Sequence, residues 1–340
     1  MLQFSRMITT IDAHTAGEPL RVITSGFPPV EGKTILEKRR YIKEHYDHLR
    51  KFLMLEPRGH SGMYGCLVTS PTNEGSDFGV LFMHNEGYST MCGHGIIAIT
   101  KVAIDTGMIL AEDGERLVKI DSPAGLVTAR ALVKNGRVQK VSFDNVPSFV
   151  YAENLSIPVQ GIGEVPVDIA FGGAFYNFVD VEKVGLKVVP EEVDRLVQLG
   201  MEIKHKVMEL HDVKHPLEPE LCGIYGTIFS EPVEKKGNQL ITKNVCIFAD
   251  GQIDRSPTGT GTSARLAILK HKGMMDETME LVNYSIIDTV FRGRLKEAVA
   301  VGSFQGVIPE VSGDAQIMGF NQLVLEPEDT LPEGFRITGG

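Results

Sequence analysis

Two equivalent α/β halves are predicted from this 340-residue chain, each closing its first strands with a glycine-rich turn that opens a small apolar helix. Three observations carry the prediction. Strand-like and helix-like stretches recur in the same order along the two halves. The offsets between matching residues are nearly constant: 161 from Tyr64 to Tyr225, and 166 from both Phe78 to Asn244 and Cys92 to Thr258. Finally, Met91-Cys92-Gly93-His94-Gly95 and Pro257-Thr258-Gly259-Thr260-Gly261 share one design, each running on into an apolar helix. One short match arises by chance; several in one order and at one offset do not. The length suits two domains. The division expected is 1–157, 158–322 and a C-terminal segment 323–340, whose Leu323-Val324-Leu325 can return to the first half as an added strand.

Taken in order, Ile11 to Ile23 reads as a strand interrupted by a polar turn. Glu31 to Lys51, rich in charges and good helix formers, reads as an exposed helix with a solvated face. Met63–Ser70 and Phe78–His84 read as strands, bounded by turns and rich in β-branched and aromatic residues. The Cys92 helix follows to about Gly107, and Leu117 to Val146 returns to strand-like alternation. In the second half Ile169 to Val181 is a strand with a small-residue turn. Pro190 to His211 is a helix, with proline at its start and Val193, Leu196, Val197, Val207 and Leu210 at helical spacing. Ile224–Ser230 and Asn244–Asp250 then echo the two earlier strands, and the Thr258 turn opens the second apolar helix through Leu269.

Composition narrows the function. Hydrophobic residues make up 42%, enough for a sizeable core, and the net charge of −10 argues against nucleic-acid or acidic-membrane partners. The first six residues lack the apolar run of a signal peptide, and no stretch approaches the ~20 apolar residues of a membrane span. Four cysteines without a C-x-x-C pair fit a cytoplasmic, reducing setting. The sequence leaves a homodimer open.

The paired turns carry the chemistry. The first N–H groups of a helix have no internal partner, so they bind anions and favour a thiolate over a thiol. Gly93-His94 and Gly259-Thr260, aimed at one point, would clamp a carboxylate, with glycine admitting the ligand's close approach. Cys92 and Thr258 would then flank the adjacent carbon on opposite faces. A Cys92 thiolate can take the proton from that carbon while the clamp stabilises the charge moving onto the carboxylate. The plainer reading of Cys92 is a buried small hydrophobe. Threonine is too weak an acid to return a proton from the other face, so loss of a neighbouring hydroxyl as water is the natural outcome, with Thr258 hydrogen-bonding substrate or leaving group.

Other motifs have plain readings. Thr258-Gly259-Thr260-Gly261 lacks the G-K-[ST] of a phosphate loop. His211 and His215 stand four apart at a helix end, but without H-E-x-x-H they read as solvated, and no metal site is expected. His14 and His60 either line the pocket or make structural hydrogen bonds. Cys66 and Cys246 read as core, and Cys222 as inert. Asp254 either caps the following turn or contacts substrate.

These motifs, with His14-Thr15-Ala16-Gly17-Glu18-Pro19 and Glu56-Pro57-Arg58-Gly59-His60, closely resemble the proline racemase family over nearly the whole chain. The resemblance implies a fold similar to diaminopimelate epimerase: two pseudo-symmetric halves, each a mixed sheet or barrel around a central helix, with the site in the cleft between them. Family racemases and epimerases carry a second cysteine where Thr258 stands; the Cys-then-Thr branch resembles dehydratases of trans-3-hydroxy-L-proline. By that resemblance, Cys92 accepts the α-proton and Gly93, His94, Gly259 and Thr260 bind substrate. Asp254 binds the ring amine. The implied substrate is a hydroxylated proline, the product 1-pyrroline-2-carboxylate, and no cofactor is required. His94 is the first candidate for protonating the departing hydroxyl and Thr258 the second. The alternatives are a racemase or hydroxyproline 2-epimerase, and a non-catalytic amino-acid binding protein.

Overall fold

In the computed structural model, which describes residues 3–337, the interrupted N-terminal strand is a hairpin. β1 (Arg6–Thr15) and β2 (Glu18–Ser25) pair antiparallel across Ala16-Gly17, at φ 53° and 91°. Two successive positive φ values give the turn whose twist matches that of the strands it joins.

The charged stretch after it differs from expectation in two ways. It is two helices, α1 (Ile35–His45) and α2 (Asp47–Met54), divided at Tyr46, and it is not solvated throughout. Thr34 and Glu37 form a reciprocal capping box at the start of α1. Ile42, Leu49, Phe52 and Leu53 are buried, and so are two of its cations, Lys38 and Arg50. Lys38 Nζ donates to the carbonyl and hydroxyl of Ser70, at 2.6 and 2.8 Å. Arg50 donates to the carbonyls of His84 and Asn85 and, bidentately, to Asp47. A buried cation is tolerable when its donors are met in this way.

The chain continues with β3 (Tyr64–Thr69), β4 (Phe78–His84), α3 (Gly93–Asp105), β5 (Gly114–Ser122), β6 (Gly125–Lys134) and β7 (Arg137–Asp144). Then come β8 (Ser148–Val159), β9 (Gly163–Phe171), β10 (Phe175–Asp180), α4 (Val193–Leu210), β11 (Gly226–Ser230), β12 (Glu234–Lys236), β13 (Gln239–Phe248) and β14 (Gln252–Ile253). Last are α5 (Gly259–His271), β15 (Glu280–Tyr284), β16 (Val290–Val301), β17 (Phe304–Gly313) and β18 (Ala315–Leu325).

These elements form two compact units. One comprises the chain up to Thr90, Gly95–Val141 and the part from Asp314 onward; the other comprises Met91–His94 and Ser142–Gly313. In the first, the strands run β18-β1-β2-β3-β4-β5-β6, parallel at β2/β3 and β4/β5 and antiparallel elsewhere. The second runs β8-β9-β10-β11-β13-β15-β16 with the same succession of senses, parallel at β10/β11 and β13/β15. There β17 pairs with both β16 and β8, which closes an eight-stranded ring. The expected duplication is therefore a topological one. It extends to the helices: α3 and α5 are 13 residues each and begin 166 positions apart.

Both helices are core elements. Ile96 to Thr100, Val102 and Ala103 of α3 are buried without a solvated face, the mark of a helix surrounded by protein. α5 is buried over most of its length and packs on β8, β9, β16 and β17, inside the ring. No described helix is long and apolar enough to cross a membrane.

Candidate active site

The start of α5 is unusual for a helix that threonine precedes. An N-cap threonine ordinarily sits in extended backbone and turns its hydroxyl onto a free N–H of the first turn. Thr258 instead has φ 62° and ψ 99°, a conformation costly for a β-branched residue, and its side chain caps nothing. Its hydroxyl is buried without a hydrogen-bond partner. Surrounding groups hold the turn: Ser256 Oγ accepts the Thr258 N–H at 3.1 Å, and Asn244 and Asn283 donate to the Pro257 carbonyl. The N–H groups of Gly259, Thr260 and Gly261 have no acceptor among the described residues. The helix thus presents three open donors and one open hydroxyl together.

The Cys92 turn meets this one directly. A Cβ built on Gly93 would lie 2.5 Å from Gly259 Cα, and one on Gly259 would lie 2.6 Å from Gly93 Cα. Two backbones can approach that closely only where neither carries a side chain. Cys92 and Thr258 each stand one residue before the glycine at this contact. Cys92 Sγ lies 3.2 Å from His94 Nδ1, and both side chains are buried. A thiol against an imidazole nitrogen at a helix start is a setting that favours thiolate.

A third turn completes the enclosure. Gly172-Gly173, between β9 and β10, packs where a Cβ on Gly172 would strike the Thr260 carbonyl at 2.2 Å and one on Gly173 would crowd Met91 and Thr260. Asn145 braces it, donating to the Gly172 carbonyl and to Ser263 Oγ, at 2.7 and 2.8 Å. Tyr176, on β10, places its hydroxyl 2.6 Å from Thr260 Oγ1. Burial holds the Tyr176 phenol well above its usual pKa, so it stays protonated and can donate to Thr260. We expect Tyr176→Phe, which leaves the Thr260 hydroxyl buried without this partner, to lower stability by about 1 kcal/mol in urea denaturation. An unchanged midpoint would show that the bond contributes nothing.

The remaining sequence candidates fall as follows. Asp254 is buried; its Oδ1 accepts the Ser256 N–H at 2.8 Å, while no described protein group donates to Oδ2. Capping the turn and contacting a ligand are thus compatible roles. His14 and His60 lie in the first unit, where His14 Nδ1 accepts from the Gly17 N–H and His60 Nδ1 lies 2.8 Å from the Ser61 carbonyl. His215 lies beyond the end of α4, and its ring packs against Phe149 and Phe171 while Nδ1 accepts two backbone N–H groups. The apolar packing displaces it from the solvated helix end read from sequence. Cys66 and Cys246 are buried in β3 and β13, and Cys222 is exposed.

Sequence reasoning missed Tyr176, Ser256 and Asn145. The first two had a local signal, one just after a glycine pair and the other inside the Thr258 motif. Asn145 had none.

A family model described as proline racemase matches residues 10–336. The chain is 52% identical over 334 residues to a trans-3-hydroxy-L-proline dehydratase of Bacillus thuringiensis subsp. konkukian, covering 98% of this chain and 99% of the relative. It is 42% identical over 338 residues to a proline racemase of Acetoanaerobium sticklandii, covering 99% and 100%. Among solved structures, a hydroxyproline epimerase from Agrobacterium vitis with bound trans-4-hydroxy-L-proline superposes with TM-score 0.92 at 30% identity, covering 99% of this chain and 97% of that one.

Proposed function

The chain belongs to the proline racemase family, and within that family we propose that it dehydrates trans-3-hydroxy-L-proline to 1-pyrroline-2-carboxylate and water without a cofactor. The observation that carries this reading is Thr258: a hydroxyl, not a second thiol, precedes the glycine that meets Gly93, and it is buried and without a partner.

In this reading the N–H groups at the two helix starts hold the substrate carboxylate, and Asp254 faces the ring ammonium. The Cys92 thiolate takes the α-proton. Negative charge moves onto the carboxylate, where the N–H donors stabilise it, as in an oxyanion hole. The electron pair then forms the Cα–C3 double bond as the C3–O bond breaks, and the departing hydroxide takes a proton to become water. His94 beside Cys92 is the first candidate donor and Thr258 the second. The enamine tautomerises to the cyclic imine. Four cysteines with no disulfide among them fit a cytoplasmic setting.

Incubation with trans-3-hydroxy-L-proline tests the proposal: the cyclic imine should accumulate, and borohydride should reduce it to proline. Recovery of unreacted substrate alone overturns the reading. The relatives that racemise or epimerise support a second reading, in which solvent deuterium enters the α-carbon of unreacted substrate with inversion. We expect such exchange only after Thr258→Cys, which supplies an acid–base group on the second face. That variant should gain measurable proline racemisation; no isotope uptake at all would count against the two-face arrangement.

A further inference from the structure

About 9 Å along α5 from Gly259, at ~1.5 Å per residue, Arg265 lines a cavity of about 280 Å³ inside the second unit. Its guanidinium makes no hydrogen bond and no ion pair among the described residues, and its Nε is sealed from solvent. The acid with a prior claim on the cavity is already satisfied: Asp168 accepts from Lys272 Nζ at 2.5 Å and from the Asn154 N–H at 2.9 Å. A second orphan points the same way. Ser230, 3% exposed at the end of β11, lines the cavity, and its Oγ has no partner.

A guanidinium whose Nε is sealed from solvent without an acceptor is costly, and although the charges of Asp168 and Asp180 favour it, neither is bonded to it, so the open fork needs a reason. Its geometry matches a carboxylate bidentately. The lining is not simply basic, however. Asp180 and Glu231 also line the cavity, and neither forms an ion pair among the described residues. A plain anion would meet those two acids unfavourably. A molecule carrying both charges would answer both.

We propose that this cavity is a second ligand site, built for a small zwitterion of amino-acid size. The carboxylate lies on Arg265 and Ser230 Oγ, and the ammonium faces Asp180 and Glu231. The site shares α5 with the Thr258 turn but none of its residues, so it stands whether or not the proposed reaction does.

Titration calorimetry of the full chain with glycine and with acetate tests this. Glycine should bind, with affinity reduced at least about tenfold by Arg265→Met, a loss of about 1.4 kcal/mol, and less by Ser230→Ala. Acetate, lacking the ammonium, should bind about tenfold more weakly than glycine. Crystals soaked in glycine should hold it against Arg265. Equal binding by Arg265→Met, equal binding of acetate, or no glycine bound at about 100 mM overturns the proposal. Should Arg265→Met fail to fold, Arg265→Lys keeps the charge but loses the fork, and wild-type affinity in that variant overturns the bidentate contact.

Discussion

Cys92→Ser removes dehydration while leaving substrate binding in place. Serine keeps the shape of the turn but cannot be deprotonated by a neighbouring imidazole to the extent a thiol can. General base catalysis by a positioned side chain is worth about 10²–10⁴-fold, and the turnover rate should fall by at least that much. The N–H donors at both helix starts are backbone groups that the substitution does not touch. A competitive assay should therefore find the substrate bound with an affinity within a few-fold of wild type, the pattern of an interaction made only in the transition state. Full activity in Cys92→Ser would remove the sulfur from the mechanism. Weakened binding with an unchanged rate would make it a packing residue, as its burial alone allows.

Gly93→Ala and Gly259→Ala should each damage both stability and activity. The atom each adds lands 2.5 or 2.6 Å from the opposing Cα, and backbone cannot swing aside as a flexible side chain can. Overpacking of this kind costs about 1–3 kcal/mol or more. The separation it forces would also pull Cys92 away from Thr258. Urea midpoints and turnover rates measure the two effects. Gly87→Ala is the control, since a Cβ there meets nothing within 4 Å, and its stability should stay within about 0.5 kcal/mol of wild type. An equally mild effect at Gly93 would mean that the two turns do not touch in solution.

The contrast between these glycines and the charged stretch shows what the sequence disclosed. A close approach of two helix starts permits only glycine, so Gly93 and Gly259 stayed visible, and the offset of 166 between them holds from Phe78 and Asn244 onward because the stretch just before each turn kept its length. Lys38 and Arg50 looked like any other surface cations, because the carbonyls that accept their hydrogen bonds belong to loops and strands far along the chain. β8 and β16 passed unread for another reason. Register shifts at Ala152 and beyond Leu295, and Asn154 at φ 53°, break the alternation that would have marked them. Within the site, the contact of Cys92 with His94 follows from side-chain direction, which spacing does not encode. The Tyr176–Thr260 bond spans 84 positions.

The pairing of β1 with β18 sets Arg6 opposite Leu325. During synthesis the second unit's ring is complete once residue 313 has left the ribosome, whereas the outer edge of β1 waits for β18 to emerge. The sheet of β1 is thus begun before the second unit's ring and finished after it, and until β18 emerges it presents an unpaired edge able to join a neighbouring nascent chain. Chaperone demand and misassembly should therefore concentrate on the edge of β1 that β18 covers.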